Sequence, residues 1–240
     1  MVPIRDENPV QITPYVTYGL ITLNVLVFIY ELTLSSPMEL TALFHTWAVV
    51  PELLTESFFG SRSIPFDIYE WSTLFTSQFL HAGFLHLAGN MLYLWIFGNN
   101  VEEEMGRLRF VTFYITCGVL AVLSQWFFAP DSAIPSLGAS GAIAGVMGAY
   151  IFRYPQVRIL TLVPLGFFWL TPRIPAFLFL GIWFLQQAAY GVASLGVRTN
   201  VGMESGGVAY WAHAGGFLFG AILGPLFGLF SESDEIKVGE

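Results

Sequence analysis

The sequence predicts an all-α polytopic membrane protein, a six-transmembrane-helix bundle with a long interfacial first loop. Three observations carry this expectation. Of 240 residues, 55% are hydrophobic and only 11% are charged, where an average soluble domain has about 25% charged residues. Mean hydropathy is +0.65. Apolar stretches long enough to cross a bilayer, about 20 residues each, recur along the chain. They read as helices, because barrel strands would alternate polar and apolar residues at every second position.

The elements follow in order. A polar tail over residues 1–12 opens the chain. "MVPIRDENPVQITP" is too polar for a secretory signal and too acidic for a transit peptide, so the first span is expected to act as its own insertion signal. Apolar runs place helices near residues 13–33, 82–99, 108–129, 138–154, 174–194 and 207–230, which makes 13–230 the membrane domain. Between the first two lies a long segment rich in Phe, Trp and Leu but broken by Pro and Ser. Such a segment is expected to lie in the membrane interface. "APDSAIPS" marks the loop after the third helix, and "TPRIP" punctuates the approach to the fifth. Residues 231–240, "SESDEIKVGE", form an acidic tail. With Glu102 to Glu104 this tail supplies most of the net charge of -8, as expected of solvated loops and ends. There is no internal repeat and no second domain.

Composition also excludes functions. Cys117 is the single cysteine and lies in an apolar segment, so no disulfide framework, thiol redox pair or cysteine metal cluster is expected. No basic patch points to nucleic acid. The expected surroundings are the lipid bilayer; oligomeric state leaves no trace in the sequence. With a cytoplasmic N-terminus, Arg5, Arg107, Arg109, Arg153, Arg158, Arg173 and Lys237 fall inside, and only Arg62 and Arg198 fall outside. Both termini are then cytoplasmic, and the second, fourth and sixth helices each begin at the outer face.

Polar side chains within spans are costly, so their placement is informative. Ser140 sits near the outer start of the fourth helix, in "LGASGAIAGVMGAY", His86 and Asn90 in the outer part of the second, and His213 early in the sixth. A serine hydroxyl becomes a nucleophile when a base removes its proton, and histidine is the usual base. Gly141 with Gly145 and Ala144 with Gly148 on one helix, and Ala212, Gly216, Gly220 and Gly224 on the other, place small residues at four-residue spacing suited to close helix packing. Taken singly, Ser140 and His213 also read as ordinary interhelical hydrogen-bonding groups. Their shared depth and packing faces favour a pair.

His86 and Asn90, four residues apart, share a helix face and can donate to a developing oxyanion, together with backbone N–H groups at the start of the fourth helix. Alone, they also read as packing contacts. His81 and His86 are five apart with no carboxylate beside them in the helices, so no metal and no cofactor is expected. No acidic residue lies between Asp131 and Glu204, so a Ser-His dyad is the economical reading.

These residues resemble the rhomboid family of intramembrane serine proteases. Three motifs occur in the family's order: "HAGFLHLAGN" at 81–90, "GASG" at 138–141 and "AHAGGFLFG" at 212–220. The resemblance implies Ser140 as nucleophile, His213 as general base, and His86 and Asn90 as oxyanion-hole side chains. It also implies structural roles for His81, for Gly138 and Gly141 around the serine, and for Gly216 and Gly220 behind the histidine. Glu102, in "EEEMGR", matches a turn that holds conformation. The chain departs from the family where Trp71 is followed by Ser72 rather than Arg, and where Ala144 replaces an aromatic.

The expected reaction is hydrolysis of peptide bonds in or beside single-span or multi-span membrane-protein substrates near the outer face, in a prokaryotic plasma membrane. The fifth helix and the loop "GVRTNVGMESGG" are candidate gate and cap. Two other readings stand beside this one: a catalytically silent protein that binds client helices, and a transporter with a His and Asn proton relay. The first predicts that Ser140→Ala leaves function intact. The second needs a polar path through an inner half made of Gly, Ala, Phe and Leu.

Overall fold

The computed structural model describes residues 1–59, 67–195 and 208–231. Arg62, Arg198, the loop "GVRTNVGMESGG" and the acidic tail beyond Ser231 lie outside the described residues. Helices occur at all six positions of the apolar runs: α1 (Tyr15–Leu32), α5 (Phe84–Met105), α6 (Arg107–Phe128), α7 (Ser140–Arg153), α8 (Ala176–Ser194) and α9 (Tyr210–Leu223). By length and composition α1, α6 and α8 can each cross a membrane. The pair Ile68–Phe79 and Phe84–Met105 passes the same test together but is bent by 78°, the geometry of a broken span or a re-entrant loop.

The central α7 has 14 residues, and every side chain from Gly141 to Tyr150 is buried. At 1.5 Å per residue it spans about 21 Å, short of the roughly 30 Å hydrocarbon core. Protein surrounds it, so its length need not match the lipid. The outward faces belong to α1 and α8, where Leu23, Leu26 and Ile29, and Phe177, Ile182 and Leu185, are exposed. In water these would be a liability; in lipid they are a belt.

The first loop is itself helical: α2 (Pro37–Trp47), α3 (Pro51–Phe59) and α4 (Ile68–Thr76), followed by a 3₁₀ turn at Ser77–Phe79. Local chemistry starts two of these helices. Ser36 caps α2 by accepting from the Glu39 N–H at 3.2 Å, and Asp67 caps α4 by accepting from the Tyr69 N–H at 3.0 Å. Trp126 Nε1 of α6 donates to Thr55 Oγ1 at 2.8 Å and ties the loop to the bundle.

One expectation is corrected. The protein is mostly helical but not all-α, because a four-stranded sheet joins the N-terminal tail to the segment between α7 and α8. Its strands are β1 (Val2–Asp6), β2 (Arg158–Leu165), β3 (Phe168–Leu170) and β4 (Arg173–Pro175). β2 pairs antiparallel with β1, with Asp6 opposite Ile159 and Val2 opposite Leu162. On its other side β2 pairs with β3 and β4 through a return at Gly166, whose φ of 62° suits glycine. Val157, Ile159, Thr161 and Val163 alternate along this stretch, a period-2 signal that a search for 20-residue apolar runs passes over. Tyr150 OH donates to Asp6 Oδ2 at 2.6 Å, Asn100 Nδ2 donates to the same oxygen at 3.0 Å, and Arg173 pairs with Glu7 at 2.6 Å. Burial raises the Asp6 carboxyl above the usual range, against these hydrogen bonds. The sheet closes the end of the bundle opposite the start of α7.

Helices α7 and α9 pack backbone to backbone. A Cβ at Gly216 would lie 2.2 Å from the Gly141 carbonyl oxygen, one at Gly220 1.9 Å from that of Gly145, and one at Gly148 2.0 Å from that of Phe217. No side chain fits these positions. Gly19 of α1 has open space around it. Gly220→Ala is therefore expected to destabilise by about 3 kcal/mol or more through overpacking, while Gly19→Ala stabilises by up to about 1 kcal/mol through helix propensity. Unfolding midpoints of the two variants in detergent micelles check this, and equal midpoints would contradict it.

Candidate active site

Helices α5, α7 and α9 all begin at one end of the bundle, so their first turns converge. Ser140 is the first residue of α7 and His213 the fourth of α9. Ser140 Oγ lies 2.7 Å from His213 Nε2. On the far side of the ring, His213 Nδ1 lies 2.9 Å from Oε1 of Gln187, on α8. A Ser140 hydroxyl that donates to Nε2 requires the imidazole proton on Nδ1, the nitrogen that faces the Gln187 carbonyl oxygen. The ring of Trp183, one turn earlier on α8, lies 5.7 Å from that of His213 at an interplanar angle of 35°. Ala144 is fully buried.

Gly138 and Gly141 bracket Ser140 for separate reasons. Gly138 adopts φ of 122°, and a Cβ there would meet the His86 ring at 2.8 Å. Its N–H donates to the Ser77 carbonyl at 2.8 Å, which anchors the segment before the serine. A Cβ at Gly141 would strike Ala121 of α6 at 2.7 Å. Being at a helix start, the first N–H groups of α7 have no intrahelical partner and point toward the space beside Ser140.

His86 stands in the first turn of α5 against Gly138. Its Nδ1 accepts from the Ala82 N–H at 3.4 Å, which leaves the proton on Nε2. Asn90 is buried, and its Nδ2 donates to His81 Nε2 at 3.0 Å. His81 is in turn held through its backbone N–H by Glu31 Oε1 of α1, at 3.0 Å. The expectation that no carboxylate accompanies these histidines is corrected here: Glu31, at the end of the first apolar run, reaches the His81 backbone. Among the described residues no group of three or more His, Cys, Asp or Glu side chains is placed to hold a metal ion.

A cavity of about 20 Å³ lies beside Ser140, lined by Ser77, Gln78, Ser136, Gly138 and Ala212 among others. That volume suits one water. Glu102 lies at the other end of α5, fully buried, and accepts from the Val16 and Thr17 N–H groups and from Thr17 Oγ1 at 2.9, 2.7 and 2.8 Å. It caps α1 from the neighbouring helix.

The Rhomboid domain family matches residues 69–230, which takes in α5 through α9 and the convergent first turns. The chain belongs to the rhomboid family. It is 31% identical over 154 residues to Rhomboid protein 1, mitochondrial, of Saccharomyces cerevisiae, covering 62% of this chain and 39% of that protein. It is 32% identical over 189 residues to Rhomboid-like protein 11, chloroplastic, of Arabidopsis thaliana, covering 74% and 62%. With the Rhomboid protease GluP of Bacillus subtilis it shares 42% identity over 83 residues, 35% of this chain and 16% of that one. The chain thus spans less than two thirds of the length of these relatives. Rhomboids are membrane-embedded, the family includes serine intramembrane proteases, and this rhomboid has the apolar helices to match.

Three contacts of this rhomboid's site were not expected from sequence. Gln187 and its neighbour Gln186 interrupt an otherwise apolar run, and intramembrane polar residues of that kind are a usable signal. Glu31 is a second such signal. Trp183 carries none, since an aromatic in an apolar helix is ordinary.

Because Glu102 satisfies three donors from one buried carboxylate, Glu102→Ala is expected to cost at least about 3 kcal/mol and Glu102→Gln clearly less. Thermal unfolding of the purified variants measures both; an unchanged midpoint for Glu102→Ala would contradict the capping role.

Proposed function

We propose that the protein is an intramembrane serine endopeptidase. The observation that carries this is the Ser140 Oγ to His213 Nε2 contact of 2.7 Å at the meeting point of α7 and α9. His213 takes the hydroxyl proton as Ser140 Oγ attacks a substrate carbonyl carbon. The developing oxyanion accepts from His86 Nε2–H, Asn90 Nδ2–H and the free N–H groups at the start of α7. His213 then gives the proton to the leaving amine. The acyl-enzyme is hydrolysed by a water that His213 deprotonates in the same way, and the small cavity beside Ser140 is a source of that water.

The substrate is a transmembrane segment of a single-span or multi-span membrane protein. A helix buries its carbonyls in hydrogen bonds, so the cleaved segment must unwind, and Gly, Pro or Ser near its end favours cutting. In this reading all six helices cross or enter the membrane, with the first-loop helices in the interface. Seven basic residues against two put both termini in the cytoplasm and the start of α7 toward the outer face. A prokaryotic plasma membrane fits the likeness to GluP; the mitochondrial and chloroplastic relatives belong to other membranes.

The test is cleavage of a tagged single-span substrate in proteoliposomes. Ser140→Ala and His213→Ala are expected to abolish cleavage while unfolding as wild type does. Asn90→Ala is expected to lower kcat by about 100-fold, the scale of one lost oxyanion donor. Cleavage that persists in Ser140→Ala would remove the protease reading and leave a protein that binds client helices.

A further inference from the structure

His213 can accept the Ser140 proton only if Nε2 carries none, so its single ring proton must be on Nδ1. A buried Nδ1–H needs an acceptor. In Ser-His-Asp hydrolases that acceptor is a carboxylate, which both fixes the tautomer and stabilises the imidazolium. Among the described residues no carboxylate lies there. Gln187 Oε1 occupies the position, 2.9 Å from Nδ1, on a side chain only 8% exposed.

We propose that Gln187 is a positioning residue that holds His213 in the tautomer and orientation able to deprotonate Ser140. The inference rests on the protease reading and deepens it: the site is a Ser140, His213 and Gln187 relay in which the third member is neutral. An amide oxygen supplies an acceptor but no charge, so it selects the Nδ1–H form without contributing the attraction that a carboxylate gives an imidazolium. The orientation of the amide matters. Turned over, Gln187 would donate to Nδ1 and drive the proton onto Nε2, where the ring could only donate to Ser140.

The contact also connects helices. Gln187 and Trp183 both reach His213 from α8, whose other face, including Ile182 and Leu185, is exposed. His213 is therefore set for proton transfer only while α8 lies against α9. Gln186 points outward and its Nε2 donates to the Tyr190 hydroxyl at 3.4 Å, so one of two adjacent amides serves the histidine and the other does not.

The experiment uses the full chain in proteoliposomes with the tagged single-span substrate, together with nitrogen-15 NMR of histidine-labelled protein in micelles. Gln187→Leu, similar in volume and without an acceptor, is expected to lower kcat about tenfold with KM unchanged. Its His213 is expected to give a mixture of tautomers, where wild type shows Nδ1 protonated and Nε2 bare. Gln187→Glu, which restores an acceptor oxygen at the same reach, recovers most of the lost rate, and Gln186→Leu behaves as wild type. Unaltered kcat and tautomer in Gln187→Leu overturn the proposal. So does a wild-type His213 protonated on Nε2. If Gln187→Leu does not fold, the wild-type tautomer and the Gln187→Glu rate still decide. Cleavage indifferent to Ser140→Ala removes the protease reading instead, and the tautomer spectra of the same samples report on the Gln187 contact separately.

Discussion

The close approach of α7 and α9 is the constraint on which the rest of the structure depends. Carbonyl oxygens of Gly141 and Gly145 occupy the space that Cβ atoms at Gly216 and Gly220 would need. A serine side chain is short, and only helices at this separation bring its oxygen to 2.7 Å from an imidazole on the neighbouring helix. The same contact explains why α7 is buried on every side and only 14 residues long. A helix wrapped in protein can end short of the bilayer, and β2 leads the chain from its far end into the sheet.

Around that contact the polar groups divide into two sets. On the α5 side, Glu31 holds the His81 backbone, His81 accepts from Asn90, and His86 stacks against Gly138. On the α8 side, Gln187 and Trp183 frame His213. Each set begins on an outward-facing helix, α1 or α8; the first ends at Gly138, two residues before Ser140, and the second at His213, which reaches Ser140. The opposite end of the bundle is closed by different chemistry: Glu102 capping α1, and Asp6 beneath Tyr150 and Asn100. One end has groups that can move protons next to a water-sized cavity, and the other has groups committed to fixed hydrogen bonds.

Much of this was legible in the sequence, for physical reasons. Apolar runs must be long to cross lipid, so α1, α5, α6, α7, α8 and α9 stand out, and their observed ends fall within a few residues of the expected ones except that α5 runs on to Met105 and α9 stops at Leu223, short of residue 230. Small residues at four-residue spacing on 141–148 and 212–224 pointed to the packing faces. The sheet was missed because strands of three to eight residues fall below the length at which a membrane search responds. Gln187 and Glu31 were present as polar residues in apolar runs, but a sequence does not say which way a side chain faces. Only the crossing of α8 and α9 sets Gln187, and not Gln186, against His213.

Activation of Ser140 by His213 is testable by covalent labelling without any knowledge of the natural substrate. Membranes holding the full chain are treated with a fluorophosphonate, and the modified residue is located by peptide mass spectrometry. An adduct on Ser140 is expected in wild type and almost none in His213→Ala. An adduct that forms equally fast in His213→Ala, or that lies on another serine, would contradict it.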